Sequence, residues 1–258
     1  MRHLLGIEHM SRDEIERVLE TSEAMLEISQ REIKRVPTLR GRTVINVFLE
    51  SSTRTRVSFE IAAKRLSADA INVTRAGSSL SKAETLADMV RNLAAMSADV
   101  LVVRDSVAGV PHMLAERVRV PVVNAGDGCH EHPTQALLDA FTLRQSLGSL
   151  EGRVVAIVGD ISHSRVARSD IYCFTKLGAE VRVAAPPTMM PAGIEGLGVK
   201  PCFSMQEALP GSFGGWYLFL VYETILYKIA LGFALLAMAK DDSTRRAQPV
   251  AAKRVRSR

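Results

Sequence analysis

Six short runs of β-branched and aliphatic residues punctuate the chain: Thr43–Leu49, Ala70–Val73, Val100–Val103, Val120–Asn124, Val154–Val158 and Glu180–Ala184. A strand that is apolar almost throughout is buried on both faces, and such strands belong to parallel sheets whose crossovers are helices. The intervening stretches Arg54–Leu66, Glu84–Met96, Pro133–Leu147 and Arg165–Leu177 place aliphatics three and four residues apart and read as those crossover helices. This rhythm predicts an α/β chain of doubly wound parallel sheets. Ahead of it, Ser11 followed by Glu14 is a capping-box pattern, and Ile15, Val18, Leu19 and Leu26 predict an opening amphipathic helix.

The turn-rich string Leu147-Gly-Ser-Leu-Glu-Gly152 is followed by a fresh buried strand, which predicts a boundary between two domains. The first spans 1–150, with the helix 133–147 bridging to the second, which runs over 151–212. Hydrophobic residues make up 47% of the 258 and charged residues 24%, which excludes a wholly disordered, collagen-like or coiled-coil chain. The net charge of +5 is local: residues 240–258 hold seven Lys/Arg against two acids, leaving 26 of each sign before them. The basicity belongs to a tail that reads as disordered, so no nucleic-acid partner is expected. Cys129, Cys173 and Cys202 are odd in number and far apart, which suggests neither a disulfide framework nor a zinc site. Together with an N-terminus that lacks an apolar run of signal-peptide length, they make a cytoplasmic location the expectation.

The sharpest chemical feature is Glu50-Ser-Ser-Thr-Arg-Thr-Arg56, placed after a strand and directly before a helix. Small hydroxyl residues and free N–H groups at a helix N-terminus cradle an anion, and Arg54 can grip two oxygens with its planar fork. Arg104 ends a predicted strand, where ligands of open α/β sheets gather. His130-Glu-His-Pro-Thr-Gln135 follows the Gly126-Asp-Gly128 turn at the same edge. Its two histidines are not joined by a third ligand at metal-site spacing, so no metal is read. Gly159-Asp160 lacks the further glycines of a dinucleotide fingerprint.

Taken together, Ser51-Ser-Thr-Arg-Thr-Arg56, Ser78-Ser-Leu-Ser-Lys-Ala-Glu-Thr85, Val103-Arg104, His132-Pro-Thr-Gln-Ala-Leu-Leu-Asp139 and Gly159-Asp-Ile-Ser-His-Ser-Arg165 resemble the aspartate carbamoyltransferase family in order and spacing. The Ser78–Thr85 loop resembles the aspartate type rather than the related ornithine enzymes. The resemblance implies two α/β domains, one for carbamoyl phosphate and one for aspartate. It implies transfer of a carbamoyl group to L-aspartate in pyrimidine synthesis, with no metal or organic cofactor. By this resemblance Ser52, Thr53, Arg54 and Thr55 hold the phosphate; Thr55, Arg104 and His132 polarise the carbamoyl oxygen; and Gln135 binds the carbamoyl nitrogen. Arg165 takes an aspartate carboxylate, and Ser78 and Lys82, the latter also binding aspartate, reach into the neighbouring subunit's site, which implies a homotrimer with shared active sites. Association with regulatory or dihydroorotase chains stays open.

The resemblance ends near Ser212. The family continues with a strand leading to an Arg-x-Gln motif, a loop and a His-Pro-x-Pro motif, and that succession is absent here. In its place stands the hydrophobic segment 213–239, which holds the only Trp and three of the four Tyr, followed by the basic tail. Three readings compete for it: a membrane-associated helix, argued against by Glu223 and Lys228 near its middle; a helix packed on the second domain or a partner; and sequence rearranged or out of frame. The second domain is therefore expected to be incomplete, with carbamoyl phosphate binding retained and aspartate turnover impaired. A carbamoyltransferase for another amine such as ornithine, and a catalytically dead paralogue acting as a scaffold, are the alternatives.

Overall fold

The computed structural model describes residues 2–76, 84–209 and the backbone of 217–220. After the helix α1 (Arg12–Gln30), the first sheet is built from β1 (Thr43–Phe48), β2 (Asp69–Thr74), β3 (Val100–Asp105) and β4 (Val122–Asp127), all parallel, in the order β2-β1-β3-β4. The crossovers are α2 (Thr53–Arg65), α3 (Leu86–Ala95) and α4 (Val110–Ala115). The strand order reverses at β1, since α2 leads to one side of it and α3 to the other. Such a reversal opens a crevice at the carboxyl ends of the two central strands.

The long helix α5 (Pro133–Leu147) leads to a second parallel sheet of β5 (Val154–Val158), β6 (Glu180–Ala184), β7 (Lys200–Cys202) and β8 (Tyr217–Leu220), in the order β7-β6-β5-β8. Helix α6 (Arg165–Lys176) connects β5 to β6, and the one-turn α7 (Met205–Ala208) follows β7. The two doubly wound parallel sheets expected from the strand rhythm are present. Part of the hydrophobic segment, Tyr217–Leu220, is a strand paired with β5 and not a helix; the rest of 213–239 and the basic tail lie outside the described residues. Among the described residues no helix is long and apolar enough to cross a membrane.

Proline at the first position of α5, with no N–H to leave unpaired, and glycine just past its end set its limits as they stand in the sequence. Ser11 and Glu14 close the capping box of α1 reciprocally, at 3.2 and 3.0 Å. Ile15 and Leu19 of α1 join Ala136, Leu137, Ala140 and Leu143 of α5 and Ile171 and Phe174 of α6 in the core of the second sheet. The first sheet has its own core, with Val47, Val90, Leu101 and Leu114 fully buried. One irregularity bears on function: the β3–β4 register slips between Val103 and Asp105, where Gly126 takes a φ of +109°. The bulge re-aims the end of β4 toward the crevice.

Candidate active site

The crevice collects the residues that follow β1, β3, β4 and β5. On α2, Ser52 stands at the N-cap in extended conformation without a side-chain cap, and its hydroxyl donates to Thr55 Oγ1 at 2.9 Å. No acid occupies the first turn, while Lys64 and Arg65 sit in the last. The helix dipole is thus complemented at its C-terminus, and the N-terminus, with Thr53 and Arg54 exposed, presents amides suited to an anion.

Arg104, in β3, and Arg165, the first residue of α6, are buried, at 7% and 5% exposure. Glu50, directly after β1, joins them: Arg104 Nη2 donates to Oε1 at 2.6 Å, and Arg165 donates to Oε1 and Oε2 at 2.6 and 2.9 Å. Burial alone would raise the Glu50 carboxyl, but the hydrogen bonds from Arg165 and the charges of both arginines outweigh it and hold the acid below its ordinary range. Arg104 Nη1 also donates to the Ala125 carbonyl at 3.0 Å, which points the guanidinium along the floor of the crevice.

That floor is Gly126. A Cβ there would lie 2.8 Å from Arg104 Nη1, 3.2 Å from His132 Cδ2 and 3.3 Å from Arg165 Cδ. Three of the site residues expected from sequence therefore converge on one glycine. His132 ends the turn before α5; its backbone N–H donates to Ser169 Oγ at 2.8 Å, and Ser169 donates to Glu131 Oε2 at 2.8 Å. Glu131 in turn accepts from the Ile7 amide at 2.7 Å, so the N-terminal segment and α6 together hold the turn. Burial, with the charges of Arg104 and Arg165, pushes the His132 imidazole down to about 3. It is neutral near pH 7. The Thr134 hydroxyl lies 3.3 Å from Nδ1; in the tautomer that carries its hydrogen on Nε2, Nδ1 accepts from that hydroxyl and the Nε2–H is free to donate to a ligand. One turn into α5, Gln135 Nε2 donates to Asp139 Oδ1 at 3.0 Å.

His130 groups with Asp127 and His112 rather than with His132, a clustering that sequence spacing does not reveal. The Asp127 carboxylate already accepts from the Gly109 amide at 2.7 Å, Asn124 Nδ2 at 2.8 Å and the Glu131 amide at 3.1 Å, besides facing His130 Nδ1 at 3.1 Å. These bonds tie α4 and the turn before α5 together. Ser78 and Lys82 lie outside the described residues. Sequence reasoning assigned no role to Glu50, Gly126, Glu131, Ser169 or Asp139; Glu50 and Asp139 stand inside the motif strings, and a glycine between a strand and a turn is the signal for Gly126.

Buried arginines, an uncapped helix N-terminus and a neutral imidazole donor at the switch point of a parallel sheet define a class: a two-domain α/β protein that holds and activates an anion. Residues 2–145 match the family described as aspartate/ornithine carbamoyltransferase, carbamoyl-P binding domain. The aspartate carbamoyltransferase catalytic subunits of Geobacter sulfurreducens and Geotalea daltonii are 58% and 60% identical over 211 and 209 residues, 81% of this chain in both cases and 68% and 67% of those proteins. Aspartate transcarbamoylase of Trypanosoma cruzi, solved in complex with N-(phosphonacetyl)-L-aspartic acid, superposes with a TM-score of 0.77 at 28% identity over 92% of this chain and 77% of that one. The catalytic subunit of the M. jannaschii enzyme gives 0.74 at 26% identity over 95% and 99%. The chain belongs to the aspartate/ornithine carbamoyltransferase family, and the relatives just named are of its aspartate branch.

Proposed function

We propose that this chain transfers the carbamoyl group of carbamoyl phosphate to the amine of L-aspartate, giving N-carbamoyl-L-aspartate and phosphate for pyrimidine synthesis in the cytoplasm. The observation that carries this reading is the convergence of Arg104, His132 and Arg165 on Gly126, opposite the uncapped start of α2. The phosphate takes the α2 amides, the hydroxyls of Ser52, Thr53 and Thr55, and Arg54. Arg104, His132 Nε2–H and the Thr55 hydroxyl face the carbamoyl oxygen, and Gln135 takes the carbamoyl nitrogen.

The amine attacks the carbamoyl carbon, and negative charge develops on its oxygen. Donors fixed before the reaction stabilise that oxygen without reorganising, the contribution that is commonly largest in acyl transfer. His132, pushed down to about 3, acts as a hydrogen-bond donor and is too weak a base to take the amine proton near neutrality. The departing phosphate takes that proton as the carbon–oxygen bond to it breaks. Arg165 binds a carboxylate of aspartate, which replaces or joins Glu50 as its partner. Ser78 and Lys82 complete the site from the neighbouring subunit of a homotrimer.

The sequence beyond Ser212 lacks the Arg-x-Gln and His-Pro-x-Pro succession that the family resemblance assigns to gripping the second substrate. Aspartate affinity and turnover are therefore reduced, while carbamoyl phosphate still binds. Titration calorimetry with phosphonoacetamide, a stable analogue, and then with aspartate tests this. Binding of the analogue with weak aspartate affinity is the expected result, and failure of the analogue to bind overturns the assignment.

A further inference from the structure

Behind Gln135, where α5 packs on α6, two acids are buried together. Asp170 is fully buried, and neither of its carboxyl oxygens has a hydrogen-bond partner among the described residues. Asp139 is 8% exposed, and its carboxylate accepts a hydrogen bond from Gln135 Nε2. Two carboxyls enclosed without a cation do not both ionise. The charge resides where a donor meets it, on Asp139, and the proton stays on Asp170.

A carboxylate can only accept. The Gln135 carboxamide must therefore turn its NH2 toward Asp139 and present Oε1 the other way, as an acceptor. We propose that Asp139 is a positioning residue that makes the Gln135 subsite select a ligand NH2 group, and that Asp170, a neutral acid, completes the buried pair. The proposal rests on the carbamoyl phosphate reading of the site and deepens it: the amide of the substrate is distinguished from a ketone or an acetyl group of the same shape.

The surroundings agree. Burial raises Asp139 to about 7, and burial together with the Asp139 charge raises Asp170 well above the carboxylate range. On α6 the buried Cys173 thiol is pushed up by burial and by the two acids, and the other charges that act on it are Lys176 of α6 and Glu131 of the turn before α5. Lys176 is bonded to the carbonyls of Ile7, Glu8 and Met10, and Glu131 to Ile7 and Ser169. The acids that α1 brings to α5, Glu16 and Glu23, are paired with Arg144. From β4, Asp127 is bonded to Gly109, Asn124 and Glu131. Acidification therefore protonates Asp139, which then becomes able to donate to Gln135 and to turn its amide over.

The test compares phosphonoacetamide with acetonylphosphonate, in which a methyl group replaces the NH2, by titration calorimetry on the full chain at pH 8 and pH 5.5, with inorganic phosphate as reference. At pH 8 the amide binds roughly tenfold more tightly, the worth of one hydrogen bond to a well-oriented acceptor. That preference shrinks to about threefold or less at pH 5.5 in the wild type and at both pH values in Asp139→Asn, whose side chain can both donate and accept. Asp170→Asn, isosteric with the neutral acid, keeps the preference at pH 8. An Asp139→Asn protein that keeps the tenfold preference, or a wild-type preference that does not change with pH, overturns the proposal. Should Asp139→Asn fail to fold, the wild-type pH series decides. Equal affinity for the two probes with phosphate still bound refutes this inference alone, whereas loss of all three ligands refutes the functional reading and this inference with it.

Discussion

Replacing Gly126 by alanine tests the geometry of the crevice at its most crowded point. The φ of +109° lies where a side chain is strained whatever the space around it, at about 1–3 kcal/mol. The new methyl group would also sit 2.8 Å from Arg104 Nη1. Arg104 cannot swing away freely, because its guanidinium is bonded to Glu50 at 2.6 Å and to the Ala125 carbonyl at 3.0 Å. Giving up one such charge-assisted bond costs about 1.5–3 kcal/mol, so the two effects together come to roughly 2.5–6 kcal/mol. Gly41→Ala is the control: its φ is +77° with nothing within 4 Å of a Cβ, so left-handed strain acts alone, at about 1–2 kcal/mol. Urea unfolding of both variants measures the stability difference, and calorimetry with phosphonoacetamide measures the site. Gly126→Ala should lose at least about tenfold in analogue affinity through displaced Arg104, while Gly41→Ala binds as the wild type does. A Gly126→Ala protein no less stable than Gly41→Ala, with analogue affinity intact, would refute the reasoning.

Three further outcomes follow from the same site. Glu50→Ala leaves Arg104 and Arg165 without their shared carboxylate; because Glu50 is a quarter exposed, the loss in urea unfolding should be about 1–3 kcal/mol rather than the larger penalty of a fully buried pair. The His132 imidazole should show no protonation between pH 8 and pH 5 by histidine NMR; because its folded value is depressed, its contribution to stability is present above about pH 6.5 and is lost as pH falls toward 3. Asp139 acts with the opposite sign: its folded value is raised, so its contribution is full at low pH and is lost as pH rises toward 7. Asp139→Asn removes that opposing term, and its stability should fall more steeply than the wild type's on acidification from pH 6.5 to 4 in urea titrations.

The strands were legible where burial makes a sequence uniformly apolar. Val154–Val158 and Glu180–Ala184 coincide with β5 and β6. The end of β4 was not, because it runs on through Ala125, Gly126 and Asp127, whose small and polar side chains serve the crevice and break the apolar run. Helix α4, six residues long, and the three-residue β7 carry too little periodicity to stand out. Helix α3 begins two residues later than its aliphatic spacing suggests, since Thr85 is its cap and accepts from the Asp88 amide at 3.2 Å. In the site, Arg104 and His132 stood at the carboxyl-terminal edge of predicted strands and could be read there, whereas Arg165 was reached only through the family resemblance. Glu50 meets Arg165 across 115 positions of sequence, and Ser169 meets Glu131 across 38, so these bonds exist only once the two sheets are assembled. The buried Asp139–Asp170 pair was likewise hidden, because each acid looks like an ordinary helix-surface residue until α5 and α6 meet.

The central claim is carbamoyl transfer to aspartate at this crevice, and the most direct measurement is the formation of carbamoylated product from carbamoyl phosphate with L-aspartate, with L-ornithine or without an amine. Slow formation of N-carbamoyl-L-aspartate that requires high aspartate concentration and disappears in Arg104→Ala is the predicted result. Product from ornithine in preference to aspartate, or aspartate product undiminished in Arg104→Ala, would contradict it.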